Sequence, residues 1–174
     1  MALLKIGVQP ISSFNQNTAQ AKICSTFYES VKQRVLSSHP WTFACTNLNL
    51  SKLDQKGIPQ YNYCYLLPKN ILRVLSCNSN SSYKIMKDKL YSNDDQAILK
   101  VIEDISEQDM PPFFINLLID NLAYEFCLPL TEDTAKAKYF KDICQTQERI
   151  AKLIDSQQKT PSKFTRFPLT DCRG

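Results

Sequence analysis

The chain has 174 residues and a mass of 20.0 kDa, room for one compact domain or a domain with a small satellite. With 43% hydrophobic and 22% charged residues, it carries enough apolar mass for a core that needs neither metal nor disulfides. Three glycines leave little scope for the clustered-glycine loops that cradle nucleotide phosphates, and a single histidine, His39, excludes any site built on two imidazoles.

The net charge of +4 comes from 21 basic and 17 acidic residues. Most of the excess sits at the end of the chain, where Lys159, Lys163, Arg166 and Arg173 face only Asp171, a local net of +3. The nearly neutral remainder argues against a body built as a nucleic-acid clamp. Seven cysteines, at 24, 45, 64, 77, 127, 144 and 172, form no CxxC pair. An odd number without a framework points to reduced, buried thiols in a cytosolic setting. No secretory leader is expected, because the N-terminus lacks a basic region followed by an apolar stretch and a small-residue cleavage site, and no membrane span, because Phe113 to Leu130 is interrupted by Asp120 and Glu125.

In chain order, Leu3 to Val8 reads as a short arm, helical or extended. Asn17 to Ser37 is an amphipathic helix with Ile23, Phe27, Val31 and Val35 every fourth residue, widened by Cys24, Tyr28 and Leu36 and capped by Thr18 or Asn17. It stops before His39-Pro40. Strands are predicted at Trp41 to Cys45, Tyr61 to Leu67, Ile71 to Ser76 and Ala97 to Ile102. A turn at Pro68-Lys69-Asn70, a polar loop from Asn78 to Ser82 and a tight hairpin about Asp88, between Tyr83 and Tyr91, connect them.

After Pro111-Pro112 a second long helix carries Phe113, Phe114, Leu117, Leu118, Leu122, Ala123 and Phe126 around much of its circumference, marking it as the buried centre of a bundle. Pro129 is expected to end it and Thr131 to cap the next helix. That helix, running to about Gln158, should bury Tyr139, Phe140, Ile143, Ile150 and Ile154. The segment 159–174 has no helical period and two prolines, so it reads as an extended tail. The expected fold is α+β: a three-helix bundle (1–40 and 105–158), a small antiparallel β-sheet inserted between the first and second long helices (41–104), and the C-terminal tail.

No catalytic, cofactor or metal signature is present. His39 reads as a packing or turn residue, Asn93-Asp94-Asp95 as a polar turn lacking the glycine and glutamate of a calcium loop, and Glu103, Asp104, Glu107 and Asp109 as dispersed surface acids. The tyrosines at 61, 63 and 65 read as a structural strand rather than a stacking platform, having no interleaved basic residue. In the tail, Phe164 and Phe167 alternate with Lys163 and Arg166, which suits an extended peptide docking on another protein. Sequence-blind contact with DNA phosphate is the alternative, making the chain a small nucleic-acid-binding accessory protein.

The order of "SSHPWTFA", "YNYCYLLPKNILRVL", "YKIMKDKLYS", "AILKVIEDI" and "MPPFFINLLIDNLAYEFCLPLTED" over residues 2–158 resembles the head-to-tail adaptor (connector) proteins of tailed bacteriophages, of the tail tubular protein A or gatekeeper type. Pro40-Trp41-Thr42-Phe43, Leu67-Pro68 to Arg73-Val74 and Leu122-Ala123 to Pro129-Leu130-Thr131 carry it most strongly. The resemblance implies a structural virion protein, not an enzyme, assembled in the host bacterial cytoplasm and placed at the head–tail junction without membrane or cofactor. Such proteins form a ring, commonly of twelve copies, between the portal protein and the tail nozzle or fibres. The ring extends the channel for packaged double-stranded DNA and helps retain and release the genome. It also implies that the tail, through Lys163, Phe164, Arg166 and Phe167, grips the portal. Deleting 159–174 should therefore leave a folded chain by circular dichroism that no longer joins the portal; unimpaired portal binding would contradict this.

Overall fold

The computed structural model describes residues 1–54, 57–77 and 82–158. The helices are α1 (Ala2–Lys5), α2 (Ala19–Ser38), α3 (Pro112–Thr131) and α4 (Thr134–Gln157). The strands are β1 (Cys45–Asn49), β2 (Lys52–Leu53), β3 (Tyr63–Leu66), β4 (Ile71–Cys77), β5 (Tyr83–Met86), β6 (Lys89–Ser92) and β7 (Ile98–Glu103).

This overturns the expected three-helix bundle with one small inserted sheet. Among the described residues there are four α-helices, and seven strands divide into two antiparallel sheets of orders β1-β7-β4 and β2-β3-β6-β5. Leu3 to Val8 resolves as α1 and a turn, because Ala2, Leu3 and Ile6 are buried in the helical core. β1, "CTNLN", and the two-residue β2 carry almost no apolar alternation and exist through their partners β7 and β3. β7 divides the cores: Leu99 and Val101 join one, Ile102 the other. β4 does the same with Leu72 and Leu75 against Ile71 and Val74. Its register shifts against β7 between Ile71 and Arg73 and again between Val74 and Ser76 explain the three-residue spacing of each pair.

Packing among the helices centres on α3, which meets α4, α2 and α1. It is long and apolar enough to cross a membrane by length and composition. Here Phe114, Leu117, Leu118, Leu122, Ala123 and Phe126 are buried in the core. The two acids that interrupt it are met by cations, Asp120 by Lys5 and Glu125 Oε1 by Arg34 at 2.7 Å. Pro129 does not end α3. It removes one backbone donor, and the helix runs on to Thr131, where Glu132 turns left-handed and its N–H bonds Leu128 O at 3.0 Å. Nor does Thr131 cap α4: its hydroxyl donates back to Cys127 O at 2.7 Å, and Asp133 accepts from Lys136 N at 2.9 Å instead. Thr18 caps α2, accepting from Ala21 N at 3.2 Å.

The predicted strand at Trp41 to Cys45 begins instead as a 3₁₀ turn over Thr42–Ala44. The cause is a competing acceptor. Asp155, on the last turn of α4 and with 0% exposure, takes Thr42 N–H at 2.7 Å and the Thr42 hydroxyl at 3.2 Å, so that amide bonds a carboxylate rather than a neighbouring strand. Trp41 beside it is fully buried, donates from Nε1 to Val35 O at 3.0 Å and lies edge-on to Phe114 at 5.3 Å. Asp155→Ala should cost about 2 kcal/mol, because the half-buried Thr42 amide and hydroxyl lose their acceptor. Urea unfolding should show the midpoint falling with its slope unchanged. A loss below about 0.5 kcal/mol would contradict this role.

Candidate assembly surface

Several of the positions singled out in the sequence are engaged in packing and hydrogen bonds. His39 packs edge-on to Trp41 at 4.7 Å with Nε2 3.6 Å from Asp155 Oδ2. In the acidic turn, Asp95 Oδ1 pairs with Lys52 Nζ at 2.6 Å, and the Asn93 side chain bonds Asn62 N at 2.9 Å and Gln60 O at 3.2 Å. Tyr65 is buried, donating to Asp94 O at 2.6 Å, and Tyr63 lies under the Lys52 ammonium at 3.8 Å. No group of three or more metal-ligating side chains occurs among the described residues. Cys24, Cys64 and Cys127 are buried. The Cys144 thiol is pushed up to about 12, by burial first and then by Asp120, which keeps it a thiol at neutral pH. The tail residues Lys163, Phe164, Arg166 and Phe167, with Cys172 and residues 78–81 of the predicted polar loop, lie outside the described residues.

The dispersed acids Asp104 and Glu107 form a network with α2. Lys32, buried despite its charge, places Nζ 3.0 Å from Asp104 Oδ1, 3.7 Å from Glu29 and 3.8 Å from Glu107. Asp104 Oδ1 is buried without a well-aligned hydrogen bond, so the Lys32 charge compensates it; Oδ2 accepts from Gln33 Nε2 at 3.2 Å. Burial works against the Lys32 ammonium, but the Asp104 contact and the acids around it outweigh that and raise its pKa. Tyr28 donates to Glu107 Oε1 at 2.7 Å. That bond lowers the Glu107 pKa, helped by its own backbone N–H and by Lys32.

What the described surface offers is apolar area. On α4 the predicted buried face is rotated: Phe140 is buried and Ile143 half-buried, but Tyr139 is 63% and Ile150 42% exposed. Together with Leu153, 60% exposed, they form an outward stripe at heptad-like spacing. Amphipathic periodicity could not reveal it, because α4 has apolar residues on two faces. Beside the stripe lie Lys138 and Arg149, with Asp142 between them. A second apolar surface is a groove of about 360 Å³ where α2, α3 and α4 meet, lined by Phe27, Tyr124, Leu128, Pro129 and Ala137. Glu125 lines it and Glu132 follows just beyond Thr131.

Neither a scan against protein-family models nor a search of curated proteins returns a match to this chain.

The depressed Glu107 pKa carries a pH signature. Its contribution to stability is present above the ordinary value of 4.5 and is lost as pH falls through the lower folded value. Glu107→Gln should be less stable than the parent at pH 7 by under about 1 kcal/mol, as the group is more than half exposed. The gap should close as pH falls below 4.5. Thermal melts across that range would reveal it, and a gap unchanged at low pH would contradict the assignment.

Proposed function

We propose that the chain is a ring-forming structural subunit of a bacteriophage head–tail connector, set between the portal and the tail nozzle around the DNA channel. The observation that carries this is the pair of unlike apolar surfaces on the helical layer, the α4 stripe of Tyr139, Ile150 and Leu153 and the groove of Phe27, Tyr124, Leu128 and Pro129. A closed ring built by rotation needs two different, mutually complementary faces on each copy. Charge adds little to the match, because Asp142 lies between Lys138 and Arg149 beside the stripe and Glu125 at the groove is paired with Arg34, so the apolar area carries it. The order of segments that resembles phage adaptors supports placing such a ring at a head–tail junction.

Each stripe-to-groove contact is modest, and closure adds avidity that a lone contact lacks. A template such as the portal would align the copies and raise their effective concentration. The chain alone is then a monomer at low concentration, and it becomes a ring stacked on the portal protein of the genome that encodes it.

Light scattering and negative-stain microscopy of the chain, alone and mixed with that portal, test the reading. Ile150→Asp/Leu153→Asp should keep its far-ultraviolet circular dichroism, because both side chains face outward, yet fail to form the ring. Ring formation by this variant at the parent's concentration would overturn the stripe's role. Failure of the parent to meet the portal, with salt-sensitive DNA binding in its place, would favour the nucleic-acid-binding alternative.

A further inference from the structure

A third surface lies in the β layer, away from both helical surfaces. Between β4 and the β5–β6 hairpin runs a groove of about 370 Å³. Its apolar lining is Leu67, Ile71, Leu72, Val74 and Ile85. β4 is the edge strand of the three-stranded sheet and β5 the edge strand of the four-stranded one, so the groove separates two sheet margins. The hairpin wall is fixed at its turn, where Leu67 N–H donates to Asp88 O at 2.9 Å and Lys87 holds a left-handed φ of 56°. All of Tyr83 to Met86 is exposed, with Ile85 at 39%. On the other wall, Arg73 is held by its bond to Ser37 O at 3.2 Å.

The rim is basic: Lys69, Arg73 and Lys87 against Asp88 alone. This sign discriminates among occupants. The chain's own C-terminal segment, with Lys159, Lys163, Arg166 and Arg173, has the same charge and is disfavoured. A symmetric contact with the same groove of another copy would place like charges together. Nucleic acid would meet the cations, but phosphate binding would leave the accessible parts of the five apolar lining residues facing water. An extended peptide with apolar side chains on one face and carboxylates on the other satisfies lining and rim together, and a sheet margin is where an extended chain adds.

We infer that the groove between β4 and the β5–β6 hairpin docks an extended, acidic-apolar segment of a partner protein. The inference goes beyond the ring reading and does not rest on it: the groove shares no residue with the α4 stripe or the groove between α2, α3 and α4, and its test uses the chain alone.

The probes are three fluorescein-labelled octapeptides in which valine alternates with glutamate, lysine or serine, and a 20-base-pair duplex. Fluorescence anisotropy with the full chain should give at least tenfold tighter binding of the glutamate peptide than of either other peptide, weakening with salt. Amide shifts on binding should centre on Leu67, Lys69, Ile71 and Ile85. Lys69→Glu/Lys87→Glu should abolish the preference or reverse it toward the lysine peptide. Ile85→Ser, a change at an exposed side chain that leaves all charges in place, should weaken the glutamate peptide several-fold. Equal binding of the three peptides, no binding of the glutamate peptide, or amide shifts elsewhere would overturn the inference. So would displacement of the peptide by the duplex, which would give the groove to nucleic acid, or loss of the site through self-association of the chain.

Discussion

A carboxylate with no solvent exposure joins the end of α4 to the start of the β layer. Asp155 sits on the last turn of α4 and accepts from the backbone and side chain of Thr42, with His39 close by. That contact fixes where α4 ends relative to the start of the β layer. It also holds Trp41 in the junction, where the indole bonds α2 and packs on α3. Residues 39–42 thus serve as the corner against which three helices and β1 are aligned. The cost of burying the charge is offset by its several donors, and removing the carboxylate would strand them.

The second border between helices and strands is built from charge as well. Lys32 of α2 reaches Asp104 just beyond β7 and Glu107 in the following turn, and Tyr28 completes the set through Glu107. With these two polar anchors, the helical layer and the strands are locked in one orientation while the apolar cores on either side of β4 and β7 remain separate. The outward surfaces then differ in kind. The helical layer has the α4 stripe and the groove at Phe27 and Leu128, and the β layer has the basic-rimmed groove at Lys69 and Lys87.

Much of the secondary structure was legible because its signals are local. The α2 stripe, the turn at Lys69-Asn70, the hairpin at Lys87-Asp88 and the apolar run of β7 all lie where period and turn chemistry place them. The failures share a cause in tertiary competition. Thr42 leaves the strand because Asp155 claims its amide, and Pro129 is absorbed because α3 is held by core packing on several sides. The number of sheets was illegible because β1 and β2 have little pattern of their own, and a sheet's membership is set by pairing across the chain. Of the candidate assembly surface, the apolar content of α4 was visible but its rotation was not. Tyr139 and Ile150 share a helical period with Phe140 and Ile143, and only the direction of α3 decides which pair is covered. The grooves, formed by residues far apart in sequence, left no local signal.

In the proposed ring, the α4 stripe of one copy seats in the groove between α2, α3 and α4 of the next. The direct measurement replaces Leu153 with photoreactive benzoylphenylalanine, irradiates the chain mixed with the portal protein of the proposed connector, and maps the cross-links by mass spectrometry. Cross-links from position 153 to Phe27, Tyr124, Leu128 or Pro129 of a second copy are expected. Cross-links to the α4 stripe of a second copy, or to the portal with none between copies, would contradict the account.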